Sequence, residues 1–417
     1  MLSILKRAWA LYLGIGLLMV GNGLQGSLLG VRGAIEGFTT QQMSYVMSGY
    51  FAGFLVSASV TPIMIRRVGH VRVFAALGSL ISAVLILYPA LTDWWLWLGL
   101  RVVIGFCFCG VYVTAESWLN NVTTTANRGS ALSLYMVTQM AGIVSAQGLL
   151  AIGDPSGFIL FIVPSVLVSL AFAPILLSVN PAPSFETTKP MSLAELWRAS
   201  PLGTVGMALI GLVFAAQFGM TAVYGTLAGF TVAQISLLVG ATYVGGLVLQ
   251  FPIGWASDMM DRRVLILGCA VVAVGGAAAG LSGGFAGAVV AGAMVGGLSN
   301  PIYALLIAYV NDHIEYEDMP AASGRLLFVN GLAAVAGPVV VGSAMNVAGP
   351  TGFWWFLLVV MAVLAGYTGW RMTRRPAPSA EETGSFAPIF AEASAVTWEA
   401  VSEEMEETSG EDEERAA

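Results

Sequence analysis

Arg101 and Glu116 lie fifteen positions apart inside one apolar stretch running from Trp94 to Leu119. A charge in the hydrocarbon layer of a membrane is costly, so each is a functional candidate by default. As a guanidinium that stays charged at any relevant pH, Arg101 suits capture of an anionic or carbonyl-bearing molecule through several donors, and it cannot carry a proton itself. Glu116, about 22 Å further along the same helix at 1.5 Å per residue, is out of reach of Arg101. It could titrate if burial raises its pKa, or bond to helix ends and Arg128. Its place near a helix end favours the gating or structural role.

Uncharged polar groups are spread over other apolar stretches: Asn22, Gln25, Gln139, Gln147, Gln217, Tyr224, Gln250, Asn300 and Tyr303. Each alone suits a bond between helices. Several together would make a mixed polar and aromatic pocket for a small polar organic molecule. Arg32, with Glu36, reads as a solvated interfacial pair, the other reading being an outer gate. No catalytic constellation competes: His70 and His313 fall in loops, no phosphate-binding glycine loop follows a strand, and no metal-ligand spacing occurs. Neither an enzyme, a cofactor nor a nucleic-acid partner is expected. Cys107, Cys109 and Cys269 sit within apolar stretches as small packing groups.

The elements that position these residues follow from composition. With 57% hydrophobic and 10% charged residues over 417 positions, the chain is far from a soluble domain, where about 25% are charged. Twelve stretches have the roughly 20 apolar residues needed to cross a bilayer: 8–31, 43–65, 71–91, 94–119, 130–152, 157–179, 202–225, 233–257, 263–283, 286–310, 322–345 and 351–372. Each must be a helix, because lipid offers no partner to an unpaired amide or carbonyl. Lys6, Arg7, Arg66, Arg67, Arg72, Arg128, Lys189, Arg198, Arg262, Arg263, Arg325, Arg371, Arg374 and Arg375 fall on one side. By the positive-inside rule both termini are then cytoplasmic. Trp94, Trp95, Trp97, Trp354 and Trp355 begin spans, where an interfacial aromatic belt would place them.

Twelve spans divide into six and six. Tyr112 to Asn120 and Tyr303 to Asn311 share an eight-residue step from Tyr to Asn at an offset of 191, and Pro62 to His70 aligns with Gly254 to Arg262 at an offset of 192. Two landmarks at nearly one spacing predict a duplicated chain, with bundles at 1–179 and 202–375. Between them 180–201 holds four prolines and a short amphipathic segment around Leu193, Leu196 and Trp197, reading as a linker at the cytoplasmic interface. Residues 376–417 carry twelve of the 24 acidic residues and one of the 17 basic ones, leaving +4 for the rest. That tail reads as disordered and solvated.

With these residues in view, positions 1–375 resemble the major facilitator superfamily, in its YcaD-like branch. Gly254-Trp-Ala-Ser-Asp258-Met-Met-Asp261-Arg262-Arg263 is similar to the family's cytoplasmic loop motif, with Asp261 where a Gly is usual. In the first copy Arg67 and Gly69 fit, but Arg66 stands where the family Asp is expected. Arg101 and Gly105 resemble the Arg-x-x-x-Gly pattern of the fourth helix, whereas Gly142 to Gly148 lacks the proline of an antiporter pattern. Glu116-Ser-Trp with Asn127-Arg128-Gly129, and Tyr303 with Asn311-Asp312, look like the named branch, whose substrates are unassigned.

The resemblance implies an all-α membrane fold of two pseudo-symmetric six-helix bundles. Spans one, four, seven and ten would line a central cavity, gathering Asn22, Gln25, Arg101, Gln217, Tyr224, Asn300 and Tyr303 as substrate contacts. Glu116, Arg128, Asp258, Arg262, Arg263, Arg66, Arg67 and Arg32 are the gating or coupling candidates, Asp258 the surest conformational residue. The expectation is a monomeric secondary transporter of the bacterial inner membrane, surrounded by lipid, moving a small polar or anionic solute or exporting a xenobiotic. A proton or substrate gradient would drive it. The rival reading is a membrane sensor or scaffold acting through the acidic tail.

Overall fold

The computed structural model describes residues 2–122, 125–177, 191–282, 284–314 and 318–374. The acidic tail and linker residues 180–190, with the expectations placed on them, lie outside the described residues. The helices are α1 (Leu2–Ile35), α2 (Thr40–Val68), α3 (His70–Ala90), α4 (Trp94–Val122), α5 (Thr125–Ile152), α6 (Ile159–Leu177) and α7 (Leu193–Ala199). They continue as α8 (Pro201–Ala215), a π-helical turn (Ala216–Met220), α9 (Thr221–Leu227), α10 (Val232–Ser257), α11 (Arg262–Gly280), α12 (Phe285–Asn311), α13 (Met319–Ala348) and α14 (Thr351–Met372). No strand occurs among the described residues. Eleven helices are long and apolar enough to cross a membrane, with α8, the π turn and α9 forming one of them, and the shorter α6 is the twelfth.

The two halves repeat each other's packing. In the first, α1 packs on α5 and α6, α2 on α4, and α3 on α4 and α6; in the second, α8 packs on α13 and α14, α10 on α12, and α11 on α12 and α14. A landmark missed in the sequence repeats as well. Gly37-Phe38-Thr39-x-x-Gln42 and Gly229-Phe230-Thr231-x-x-Gln234 stand 192 residues apart and build the same corner. Gly37 and Gly229 take φ of 77° and 76°, a left-handed conformation that glycine enters without penalty. Phe38 N then donates to Gly33 O at 2.8 Å, and Phe230 N to Gly225 O at 2.9 Å, closing the preceding helix. Thr39 and Thr231 each form a capping box with the Gln three residues on, so the next helix starts at a fixed point.

Helices approach closely where the side chain is absent. A Cβ on Gly53 would sit 1.9 Å from Val102 O, and one on Gly105 would sit 1.9 Å from Tyr50 O. These two glycines therefore let α2 and α4 cross at backbone contact.

Several local expectations change. Trp97 and Trp354 are buried within the protein, while Trp95 and Trp355 remain exposed. Trp97 donates to the carbonyls of Tyr88 and Leu91 at 3.1 and 2.7 Å, tying the α3–α4 corner instead of anchoring in headgroups. His70 opens α3 instead of lying in a loop, and its Nε2 meets Ser117 Oγ at 2.9 Å in a buried pair. Arg32 is buried, not solvated: besides Glu36 at 2.6 Å it donates to the carbonyls of Pro155 and Ser156. The α5–α6 loop folds over the end of α1, and Arg32 serves that loop's carbonyls.

Candidate functional site

Between the two halves lies a cavity of about 280 Å³. It extends along α2 to Pro62 and along α13 to Gly324, toward the end of the bundle where α1 starts and α14 stops. At the opposite end the halves touch. Asn346 Nδ2 donates to Gln41 Oε1 at 2.9 Å, Ser343 Oγ reaches the same oxygen at 3.4 Å, and Ser48 Oγ donates to Val335 O at 2.5 Å. Gly30 of α1 lies against Ala222 and Val223 of α9. The cavity is thus closed at one end by α2–α13 and α1–α9 contacts.

Arg101 stands at the closed end, 3% exposed. Its Nη1 donates to Gln25 Oε1, Nη2 reaches Met47 Sδ at 3.4 Å, and its Cζ lies 4.8 Å from the centre of the Tyr50 ring, a cation–π contact. Gln25 Nε2 donates to Asn22 Oδ1 at 3.2 Å, Asn22 Nδ2 donates to Tyr112 OH at 2.8 Å, and Tyr50 OH donates to Asn22 Oδ1 at 3.4 Å. One polar network therefore joins α1, α2 and α4. Opposite it, Gln217 lies in the π turn and its Oε1 accepts from Ser299 Oγ at 3.1 Å. Single π turns are rare and recur at functional sites; this one brings Gln217 and Phe218 together to the cavity wall.

Four of the seven expected substrate contacts, Asn22, Gln25, Arg101 and Gln217, line this cavity. The other three lie off its lining. Tyr224 stacks on Phe353 at 5.0 Å and meets Trp354 edge-on. Asn300 fills the space over Gly246 of α10, and Tyr303 is buried against Phe214 at 5.8 Å. What sequence reading missed is the aromatic lining: Tyr50, Phe51, Phe54 and Tyr112 from one half, Phe214, Phe218, Tyr243 and Phe328 from the other. The Tyr50/Phe54 and Phe214/Phe218 pairs at four-residue spacing were the available signal.

The gating candidates form separate groups. Arg262 is buried; it pairs with Asp312, and donates to Ala308 O at 2.9 Å and Ser257 Oγ at 3.3 Å, so it links α11 to the end of α12. Asp258 ends α10 with an exposed side chain. Asp261 caps α11 by accepting from Arg263 N at 2.9 Å, and Arg263 Nη2 returns to its Oδ2 at 2.8 Å. Burial works to raise the Asp261 pKa, but the hydrogen bonds and charge of Arg263 outweigh it and hold the carboxyl below its ordinary value. The residue replacing a family Gly thus has a local use as a cap. Arg66 and Arg67 are exposed at the end of α2. Glu116 is buried and accepts from Tyr135 OH at 3.2 Å; the Arg128 side chain lies outside the described residues.

Comparison with known proteins agrees with this architecture. The family profile described as Major Facilitator Superfamily matches residues 11–232 and 204–404. The chain is 26% identical over 332 residues to the uncharacterized MFS-type transporter YcaD of Escherichia coli O45:K1 (strain S88), covering 78% of this chain and 85% of that protein. Among solved structures, a point variant of the nucleoside transporter NupG superposes with a TM-score of 0.74 at 12% identity, over 87% of this chain and 99% of that one. A bacterial homolog of the human lysosomal transporter Spinster, inward-facing and unoccupied, superposes with a TM-score of 0.67 at 13% identity, over 97% and 98% of the two chains. At these identities the structural likenesses establish the fold and say nothing of the cargo.

Proposed function

The chain belongs to the Major Facilitator Superfamily, is a multi-pass membrane transporter, and from that premise we propose that it is a secondary active transporter of a small polar or anionic organic solute. Its bundles, residues 1–179 and 202–375, rock about the central cavity and open it alternately to either side of the bacterial inner membrane. The termini and the cavity mouth face the cytoplasm, as the one-sided distribution of basic residues supports. It works as a monomer and is driven by a proton or substrate gradient.

The observation that carries this reading is the asymmetry of the cavity's two ends. One end is sealed by polar and small-residue contacts, among them Gln41 with Asn346 and Ser48 with Val335. Contacts of that kind can part without exposing a large apolar core. Spin labels on Gln41→Cys and Asn346→Cys test it by distance measurement in lipid. A second, longer-distance population supports rocking; one short distance under all conditions points instead to a static membrane scaffold.

A further inference from the structure

Arg101 is the one charged side chain among the described residues lining the cavity. Its surroundings leave it poorly matched. Nη1 has the neutral amide oxygen of Gln25, Nη2 a thioether, and Nε no hydrogen-bond partner among the described residues. No carboxylate pairs with it there. A guanidinium in a low-dielectric site without a counter-ion favours occupation by a single negative charge. A planar carboxylate suits it best, since the fork of N–H donors matches two coplanar oxygens.

The cavity that holds this charge has aromatic walls on both sides. Tyr50, whose ring is already against Arg101, is followed by Phe54 with ring centres 6.2 Å apart. From the other half, Phe218 and Tyr243 are stacked at 5.0 Å with planes 20° apart. All four line the cavity. Aromatic faces supplied by both halves suit a flat ring that both could hold at once. The cavity, about 280 Å³, lies just below the roughly 300–1,000 Å³ of ligand sites, a size that suits an occupant of one or two fused rings.

We propose that the cavity binds a planar aromatic monocarboxylate, its carboxylate replacing the Gln25 oxygen on Arg101 and its ring lying between Tyr50/Phe54 and Phe218/Tyr243. A phosphomonoester would bring a second negative charge that no lining residue matches. The proposal rests on the transporter reading above but concerns only what the central site takes.

The test uses the purified full-length protein and 2-naphthoate as probe, with 2-naphthamide as the uncharged analogue and cyclohexanecarboxylate as the anion without an aromatic ring. Binding is read by calorimetry and by the rise in unfolding temperature that a native-state ligand produces. The expected result is 2-naphthoate binding at least about tenfold tighter than either analogue. In Gln25→Glu, which supplies Arg101 with a carboxylate from within, and in Arg101→Met, 2-naphthoate binding is lost while the variants remain monodisperse. Should one variant misfold, the other answers. Equal binding of 2-naphthamide, binding retained in either folded variant, or no binding of 2-naphthoate at millimolar concentration overturns the proposal. Spin-label distances between positions 41 and 346 need no ligand, so failure of the substrate class stays distinct from failure of the transporter reading.

Discussion

Arg101 of α4 donates to the amide oxygen of Gln25 on α1 at the closed end of the central cavity, and no carboxylate joins them among the described residues. The pair ties together two helices of the first half while leaving its positive charge available to a solute. Gln25→Leu removes the acceptor and leaves the guanidinium unpaired, a loss expected to cost about 1–3 kcal/mol of stability. Adding Arg101→Met should restore much of that loss. Thermal unfolding of the two single variants and the double variant decides it; strictly additive losses would show that the two side chains do not interact energetically.

The α2–α4 crossing predicts a contrast between glycines on one helix. Gly105→Ala would push a methyl into the Tyr50 carbonyl, whereas nothing lies within 4 Å of a Cβ on Gly99. Overpacking of this kind costs about 1–3 kcal/mol or more. Gly105→Ala is therefore expected to lower the unfolding temperature and the monodisperse yield, with Gly99→Ala close to the parent. Equal behaviour of the two would contradict the backbone contact.

Arg262 and Asp312 form a buried pair, each side chain 3% exposed. Removing one partner leaves a buried charge and is expected to cost about 3–5 kcal/mol. Asp312→Asn and Arg262→Met should each destabilise the protein strongly, and the double variant should fall well short of the sum. Thermal unfolding of the three variants decides it; a double variant whose loss equals the sum of the singles would show that the two charges do not interact.

The repeated corners predict matched effects in the two halves. Thr39→Ala and Thr231→Ala each remove a side-chain acceptor from a capping box, at a cost of about 1 kcal/mol. Hydrogen exchange should quicken in the first turn of α2 for one and of α10 for the other. Faster exchange spread across a whole half would show that the corner does more than fix a helix start.

The twelve helices and their duplication were legible because lipid demands long apolar runs and internal backbone pairing. The faces of those helices were not. In water an apolar stripe marks the buried side, but here lipid-facing and protein-facing sides are both apolar, so Tyr224 looked as suited to the cavity as Gln217. Only packing separates them: Tyr224 stacks on Phe353, and Gln217 turns inward. The π turn at Ala216–Met220 adds a residue to the helical period, so no regular 3.6-residue wheel could phase Phe218. The Gly-Phe-Thr-x-x-Gln repeat was in plain view, but it lies between apolar runs and escapes a reading that follows hydropathy.

The most direct measurement of alternating access is the reactivity of one cysteine in the cavity wall. Ser27 lines the cavity, and Ser27→Cys in a background with Cys107, Cys109 and Cys269 replaced by Ser can be challenged with a membrane-impermeant maleimide in right-side-out and inside-out vesicles. The account predicts labelling from both faces, with outer labelling abolished when Gln41→Cys and Asn346→Cys are joined afterwards in the same chain by a bifunctional thiol reagent under conditions that spare position 27. Labelling from one face alone, unchanged by that cross-link, would contradict a transporter that opens to both sides.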